Sequence, residues 1–169
     1  MSLSYMASIV SKYIILNNIF PHLWCNPLID EFNKDHDVEL ILDTDRYGRY
    51  NFVSKKLSLN IYDILNQYID LSLYKISHKF YMNKYWPNSS SISKHVDGQI
   101  DNSTYSVIIY LNTCIGGETI IYNSTTSKAI VKPEIGRVLL DQNVVHEAVS
   151  PTTFKYILRT DLIKLSPLV

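Results

Sequence analysis

Cysteine is nearly absent: Cys25 and Cys114 are the two thiols in 169 residues, and neither sits in a CxxC or zinc-ligand spacing. That excludes a disulfide scaffold and predicts two free thiols. Runs of about 18 apolar residues, the length a membrane-spanning helix needs, are missing too. Met1 to Phe20 has no basic stretch followed by a long apolar run, so no signal peptide is expected. The expectation is an intracellular, cytoplasmic protein with no membrane partner. Without a secretory signal, the sequons at Asn88, Asn102 and Asn123 carry little meaning. Charge of one sign is also lacking. Sixteen Lys and Arg balance sixteen Asp and Glu, with no basic stripe and no charged tail. Nucleic acid is therefore not an expected partner. No helix or Lys-Ser/Thr follows Gly116-Gly117, so that pair reads as a tight turn and not as a phosphate cradle.

What is present is ordinary for a globular chain: 46% hydrophobic and 19% charged residues. The length suits one domain, residues 1–169, with a sizeable core. Nothing in the composition specifies an oligomeric state. The thirteen tyrosines are read as the mark of AT-rich coding, not as a tyrosine surface. Periodicity divides the chain near residue 75. Before it, Tyr13 to Leu16 reads as a short strand. Leu23, Leu28, Ile29 and Phe32 stripe a helix over 22–34, and Arg46 to Arg49 reads as a turn. Leu57, Ile61, Ile64, Leu65, Tyr68 and Ile69 stripe a second helix over 57–72. After it, the period is two. Strands are expected around Phe80 to Met82 and over Ile92–Asp97, Tyr105–Leu111, Glu118–Tyr122, Lys128–Val131, Val138–Asp141 and Tyr156–Ile163. Turns are expected at Gly98–Asn102, Gly116-Gly117 and Pro133–Gly136. Many short strands at short spacing predict a β-sandwich or jelly roll, with the two helices outside it.

His95, Asp97 and His146 carry the chemistry. Two imidazoles and one carboxylate on one face of an ion form the facial triad of non-haem Fe(II) oxygenases. On a strand, His95 and Asp97 would point to one face. His146 must come from another strand. His22, His36 and His78 have no carboxylate partner in such a pattern and read as ordinary residues.

The stretches His95-Val96-Asp97-Gly98, Tyr110-Leu111-Asn112, Gly116-Gly117-Glu118-Thr119, Pro133 to Gly136, His146-Glu147 and Lys155 to Asp161 occur in that order. Together they resemble the prolyl 4-hydroxylase family of 2-oxoglutarate- and Fe(II)-dependent dioxygenases. The resemblance covers about residues 76–165, with a looser likeness before that to the family's helical cover. It implies a mainly β fold with flanking helices, a double-stranded β-helix or jelly roll. It implies Fe(II) held by His95, Asp97 and His146, with 2-oxoglutarate and O₂ as co-substrates and ascorbate as a further cofactor. Lys155, nine residues beyond His146, would pair with the distal carboxylate of 2-oxoglutarate. Tyr110 would hydrogen-bond the same carboxylate, and Tyr85 would line the pocket. One departure is the segment Asn88 to Ser93, which lacks the glycines usual before the histidine.

The residues themselves leave the carboxylate anchor open. A carboxylate buried in the barrel needs a cation. Lys155, Ile157, Arg159 and Asp161 share one strand face by alternation, so Lys155 and Arg159 both qualify. If Lys155 is the anchor, Arg159 is expected to pair with Asp161 or a nearby loop. The activity implied is hydroxylation of prolyl residues in a protein or peptide, with decarboxylation of 2-oxoglutarate to succinate and CO₂. A silent binding module that sequesters a peptide, or a metal-binding barrel without 2-oxoglutarate, are the alternatives. The intact triad and Lys155 weigh against both. Substrate contacts are expected in Trp86 to Ser93 and Asp101 to Tyr105.

Overall fold

The computed structural model describes residues 12–34, 39–40, 47–97, 105–124 and 126–166. His36, Arg46, the expected Gly98–Asn102 turn and nearly all of the Asp101 to Tyr105 loop lie outside them.

The strand β7 (Tyr105–Tyr110) is buried at all six positions. Such a run needs cover on both faces, and the alternation of its side chains assigns the covers. Tyr105, Val107 and Ile109 join one apolar cluster, and Ile108 and Tyr110 join another. The neighbours of β7 divide the same way. On β12 (Lys155–Lys164), Tyr156, Leu158 and Leu162 face the first cluster and Ile157 the second. On β10 (Val138–Asp141), Val138 and Leu140 face the first and Leu139 the second.

The first cluster lies under two helices. α1 (His22–Asn33) contributes Cys25 and Phe32, and α2 (Lys55–Leu65) contributes Ile61 and Leu65. The second lies between two antiparallel sheets. The large sheet has eight strands, in the order β1 (Tyr13–Leu16), β10, β7, β12, β5 (Lys79–Tyr85), β3 (Tyr47–Val53) and β2 (Glu39–Leu40). In addition, β4 (Tyr74–Ile76) pairs with the end of β12. The small sheet runs β6 (Ile92–His95), β11 (His146–Ala148), β8 (Thr119–Tyr122) and β9 (Lys128–Val131). Two facing antiparallel sheets with helices outside the larger one make the jelly roll that the periodicity predicts. Among the described residues, no helix is long and apolar enough to cross a membrane. Both cysteines are free thiols.

Three local expectations are corrected. Gly48 and Arg49 form no turn; they are extended in β3, opposite Lys84 and Asn83 of β5. The partner lies more than thirty residues away, so local pattern could not reveal the pairing. The second helix begins at Lys55, capped by Ser54 Oγ on Leu57 N at 3.1 Å, and stops at Leu65. Its apolar stripe runs on because a tight turn still buries Ile69, while Tyr68 is exposed. Finally, β6 ends at His95, so Asp97 lies just past the strand.

Gly136 occupies the turn before β10 with φ +75°. Its carbonyl accepts from Ile19 N at 3.0 Å, and a Cβ here would run into the Phe20 carbonyl oxygen. Gly136→Ala is expected to cost at least about 2 kcal/mol, because the left-handed backbone alone costs roughly 1–2. Urea unfolding checks this, and an unchanged midpoint would contradict it.

Candidate metal centre

The small sheet brings the triad together, from β6, the residues just past its end, and the neighbouring β11. His146 on β11 is the register partner of His95 on β6. Their rings lie 4.4 Å apart between centroids, tilted by 59°. Asp97 Oδ1 stands 3.8 Å from His95 Nε2 and 3.8 Å from His146 Nε2. Ligand bonds of about 2.0–2.2 Å allow one ion to bridge atoms up to roughly 4.2 Å apart. The two gaps therefore admit a single ion.

The far side of each ring decides its tautomer. His95 Nδ1 meets the Ser93 carbonyl at 2.8 Å and His146 Nδ1 meets the Val144 carbonyl at 2.9 Å. A carbonyl only accepts, so each Nδ1 carries the proton and donates. Each Nε2 then presents its lone pair toward Asp97. This is how neutral imidazoles are held for metal binding.

Asp97 is divided between two tasks. Oδ1 faces the imidazoles, while Oδ2 accepts from Ser106 Oγ at 2.8 Å and lies 3.4 Å from Arg159 Nε. Arg159 also donates to Ser106 Oγ at 3.1 Å and reaches Asp161 at 3.9 Å. The expected Arg159–Asp161 pair is thus present, yet the closer carboxylate is Asp97. Arg159 stands beside the triad's acid, four residues along β12 from Lys155.

Lys155 opens β12. It is 2% exposed, and its ammonium donates to the Gly117 carbonyl at 2.7 Å. The rings of Tyr85 and Tyr110 lie 5.1 and 5.6 Å from Nζ. Among the described residues, no carboxylate lies within ion-pair distance of it. Burial pushes its pKa down to about 8, with Cys114 and Glu118 pulling weakly upward.

Lys155, the triad, Tyr85 and Arg159 line one cavity of about 280 Å³. Its apolar walls are Ile92, Ile108 and Ile157, and Arg49 and Asn83 belong to the same lining. Tyr110 lies one step behind the cavity wall. Its hydroxyl is fully buried and shares a 2.7 Å hydrogen bond with Thr119 Oγ1, and it is Thr119 that lines the cavity. Burial raises the Tyr110 phenol far above its ordinary range. Glu147, next to His146, accepts from Tyr122 OH at 2.6 Å. In the segment before β6, Asn88 takes φ +59°, the conformation a glycine would otherwise supply.

Sequence reasoning passed over Ser106, Thr119 and Asp141. Ser106 and Asp141 fall on the inward phase of their strands, and that alternation was the one available signal. They are register partners, Asp141 on β10 with Ser106 on β7.

No family model matches the chain, and no curated protein matches it. Solved structures do. A Pseudomonas putida prolyl-4-hydroxylase superposes with TM-score 0.72 at 15% identity, over 93% of this chain and 95% of that one. The viral collagen prolyl hydroxylase of Paramecium bursaria Chlorella virus 1, in its 2-oxoglutarate complex, gives 0.67 at 18%, over 93% and 98%. A Trichoplax adhaerens prolyl hydroxylase in complex with a hypoxia inducible factor peptide gives 0.66 at 16%, over 92% and 84%. At these identities the likeness establishes the fold, which is that of the prolyl hydroxylases and their 2-oxoglutarate-Fe(II) oxygenase relatives.

Proposed function

We propose that this chain is a single Fe(II)- and 2-oxoglutarate-dependent dioxygenase domain that hydroxylates prolyl residues in a protein or peptide. One observation carries the reading. A convergent His-Asp-His set and a buried lysine with no carboxylate partner among the described residues line the same cavity. A three-residue facial set leaves an ion open on its other side. A buried ammonium calls for an anion to meet it. When bound, iron with 2-oxoglutarate and O₂ supplies C–H oxidation coupled to decarboxylation of the 2-oxoglutarate to succinate and CO₂.

The protein's part is positional. Lys155 holds the distal carboxylate, with Thr119 and Tyr85 beside it. Ile108 and Ile157 keep water from the middle of the cavity. Ser106 and Arg159 hold Asp97 Oδ2 so that Oδ1 stays turned to the ion. A peptide substrate is supported by a peptide-bound hydroxylase that shares this fold. The test is incubation with Fe(II), ascorbate, 2-oxoglutarate and proline-containing peptides. Succinate formation together with a peptide gaining one oxygen supports the reading. No succinate above a protein-free control would leave a binding module instead.

The depressed Lys155 pKa gives a pH prediction. Below about pH 8 the ammonium is already charged in the cofactor-free protein. Above it, binding the dianion must first take up a proton. The 2-oxoglutarate affinity should therefore fall by about tenfold per pH unit above that point. Stability of the cofactor-free fold runs the other way. The buried charge is a penalty below the folded pKa, and it shrinks as pH rises toward the ordinary lysine value. Calorimetry between pH 7 and 9.5, with Mn(II) saturating, reads this directly. A flat affinity across that range would contradict it.

A further inference from the structure

Behind Asp97 stands a cation, Arg159. Behind His146 stands an anion. Asp141 ends β10 with its side chain inward, 1% exposed. Its Oδ1 accepts the Val144 amide at 3.2 Å. Its Oδ2 has no hydrogen-bond donor among the described residues and lies 3.5 Å from His146 Nδ1.

We propose that Asp141 is a positioning residue for His146, setting the direction and donor strength of its Nε2 toward the metal. This rests on the metal reading above. Two observations carry it. The first is the wasted oxygen. An aspartate that only capped the turn into β11 would need one acceptor, which Asn or Ser also offers. Here a second carboxylate oxygen is buried without a donor, and such atoms are costly to keep. It faces the one N–H that sets the imidazole tautomer.

The second is the grip on Val144. Asp141 Oδ1 holds the Val144 N–H, and the Val144 carbonyl receives the His146 Nδ1 proton at 2.9 Å. The same carboxylate thus fixes the acceptor of that proton and adds its own charge beside it. Charge behind the ring strengthens Nε2 as a donor, as carboxylates do in carboxylate–histidine–metal arrangements. Arg159 acts oppositely, drawing charge from Asp97. The imidazole and the carboxylate are brought closer in donor strength.

Asp141→Asn and Asp141→Ser both retain an acceptor for the Val144 N–H and both delete the charge. Co(II) titration of the metal-free protein, read by calorimetry and by visible absorption, is the test. Expected is a loss of about 10- to 100-fold in Co(II) affinity in both variants, with an altered absorption band. Metal-free thermal unfolding should stay near wild type, and a folded fraction measured alongside corrects for any loss. Affinity within about threefold of wild type in both variants would overturn the proposal. Asp97→Ala is the control. If it loses Co(II) while the Asp141 variants keep it, the triad stands and only the role of Asp141 falls. If it binds Co(II) as tightly as wild type, the triad is not the site and the proposal falls with it.

Discussion

Asp97→Ala is expected to abolish 2-oxoglutarate turnover while leaving a folded protein. Asp97 Oδ1 is the atom both imidazoles face, at 3.8 Å each. Its loss removes one of three ligands and the only negative charge among them. Metal affinity should fall by more than the roughly 10- to 100-fold that an outer partner is worth. Stability should fall by less, about 1–2 kcal/mol, in the ordinary range for a single substitution. The reason is local. Arg159 does not become an isolated buried charge, because Asp161 remains at 3.9 Å and Ser106 Oγ at 3.1 Å. Iron titration, succinate release and urea unfolding of the same preparation separate the effects. Equal iron binding and equal turnover in variant and wild type would refute the triad.

Lys155→Ala should act on the co-substrate and spare the metal. Without the ammonium, the distal carboxylate would be buried unpaired. Breaking such a pair costs on the order of 3–5 kcal/mol, or about 10²- to 10³-fold or more in affinity. The cofactor-free fold loses little. It gives up the 2.7 Å bond to the Gly117 carbonyl but also sheds a charge that burial already disfavours. Lys155→Arg should recover part of the affinity. The chain there is tightly surrounded: Lys155 Cδ lies only 3.1 Å from where a side chain on Gly117 would begin. A guanidinium is larger and planar and will not seat in the same place. Arg159→Ala should weaken metal binding more than 2-oxoglutarate binding, because Arg159 stands beside Asp97. The decisive quantity is the 2-oxoglutarate dissociation constant of each variant with metal saturating. An unchanged constant for Lys155→Ala beside a large loss for Arg159→Ala would move the anchor to Arg159.

The features legible in the sequence are those whose information is local. The His95 and Asp97 spacing, the inward phase of Lys155 through Asp161 and the glycine turns can all be read from neighbours along the chain. The alternation of β7 and β12 was legible for the same reason, as was the stripe of α1 through Leu28, Ile29 and Phe32, although Leu23, expected in that stripe, is exposed. The failures occurred where a distant segment decides. Gly48 and Arg49 look like a turn until β5 pairs with them. The stripe through Ile69 looks helical because the core asks for apolar residues, whichever backbone delivers them. Strand geometry was invoked to aim Asp97, yet Asp97 lies beyond the strand end and is aimed by Ser106 and Arg159. Tyr110 bonds Thr119, and it is Thr119 that lines the cavity. Ser106 and Asp141 gain their roles from facing each other across two strands, a relation no window of sequence contains.

β12 has a consequence for how such a chain can drift through time. Along β12, Lys155, Ile157 and Arg159 line the cavity while Tyr156, Leu158 and Leu162 face the helix side, so what descent must preserve there is parity more than identity. Residues can be exchanged one at a time on either side, and the other side does not register it. One deleted residue between Lys155 and Arg159 is another matter. It would turn one end of the strand over, sending Arg159 toward the helices or Lys155 out of the cavity. A fold of this kind can therefore lose most of its letters, to the 15–18% shared with its solved counterparts, while admitting almost no slip in count. Length variation should accumulate in the connections between strands, and hardly at all within β12.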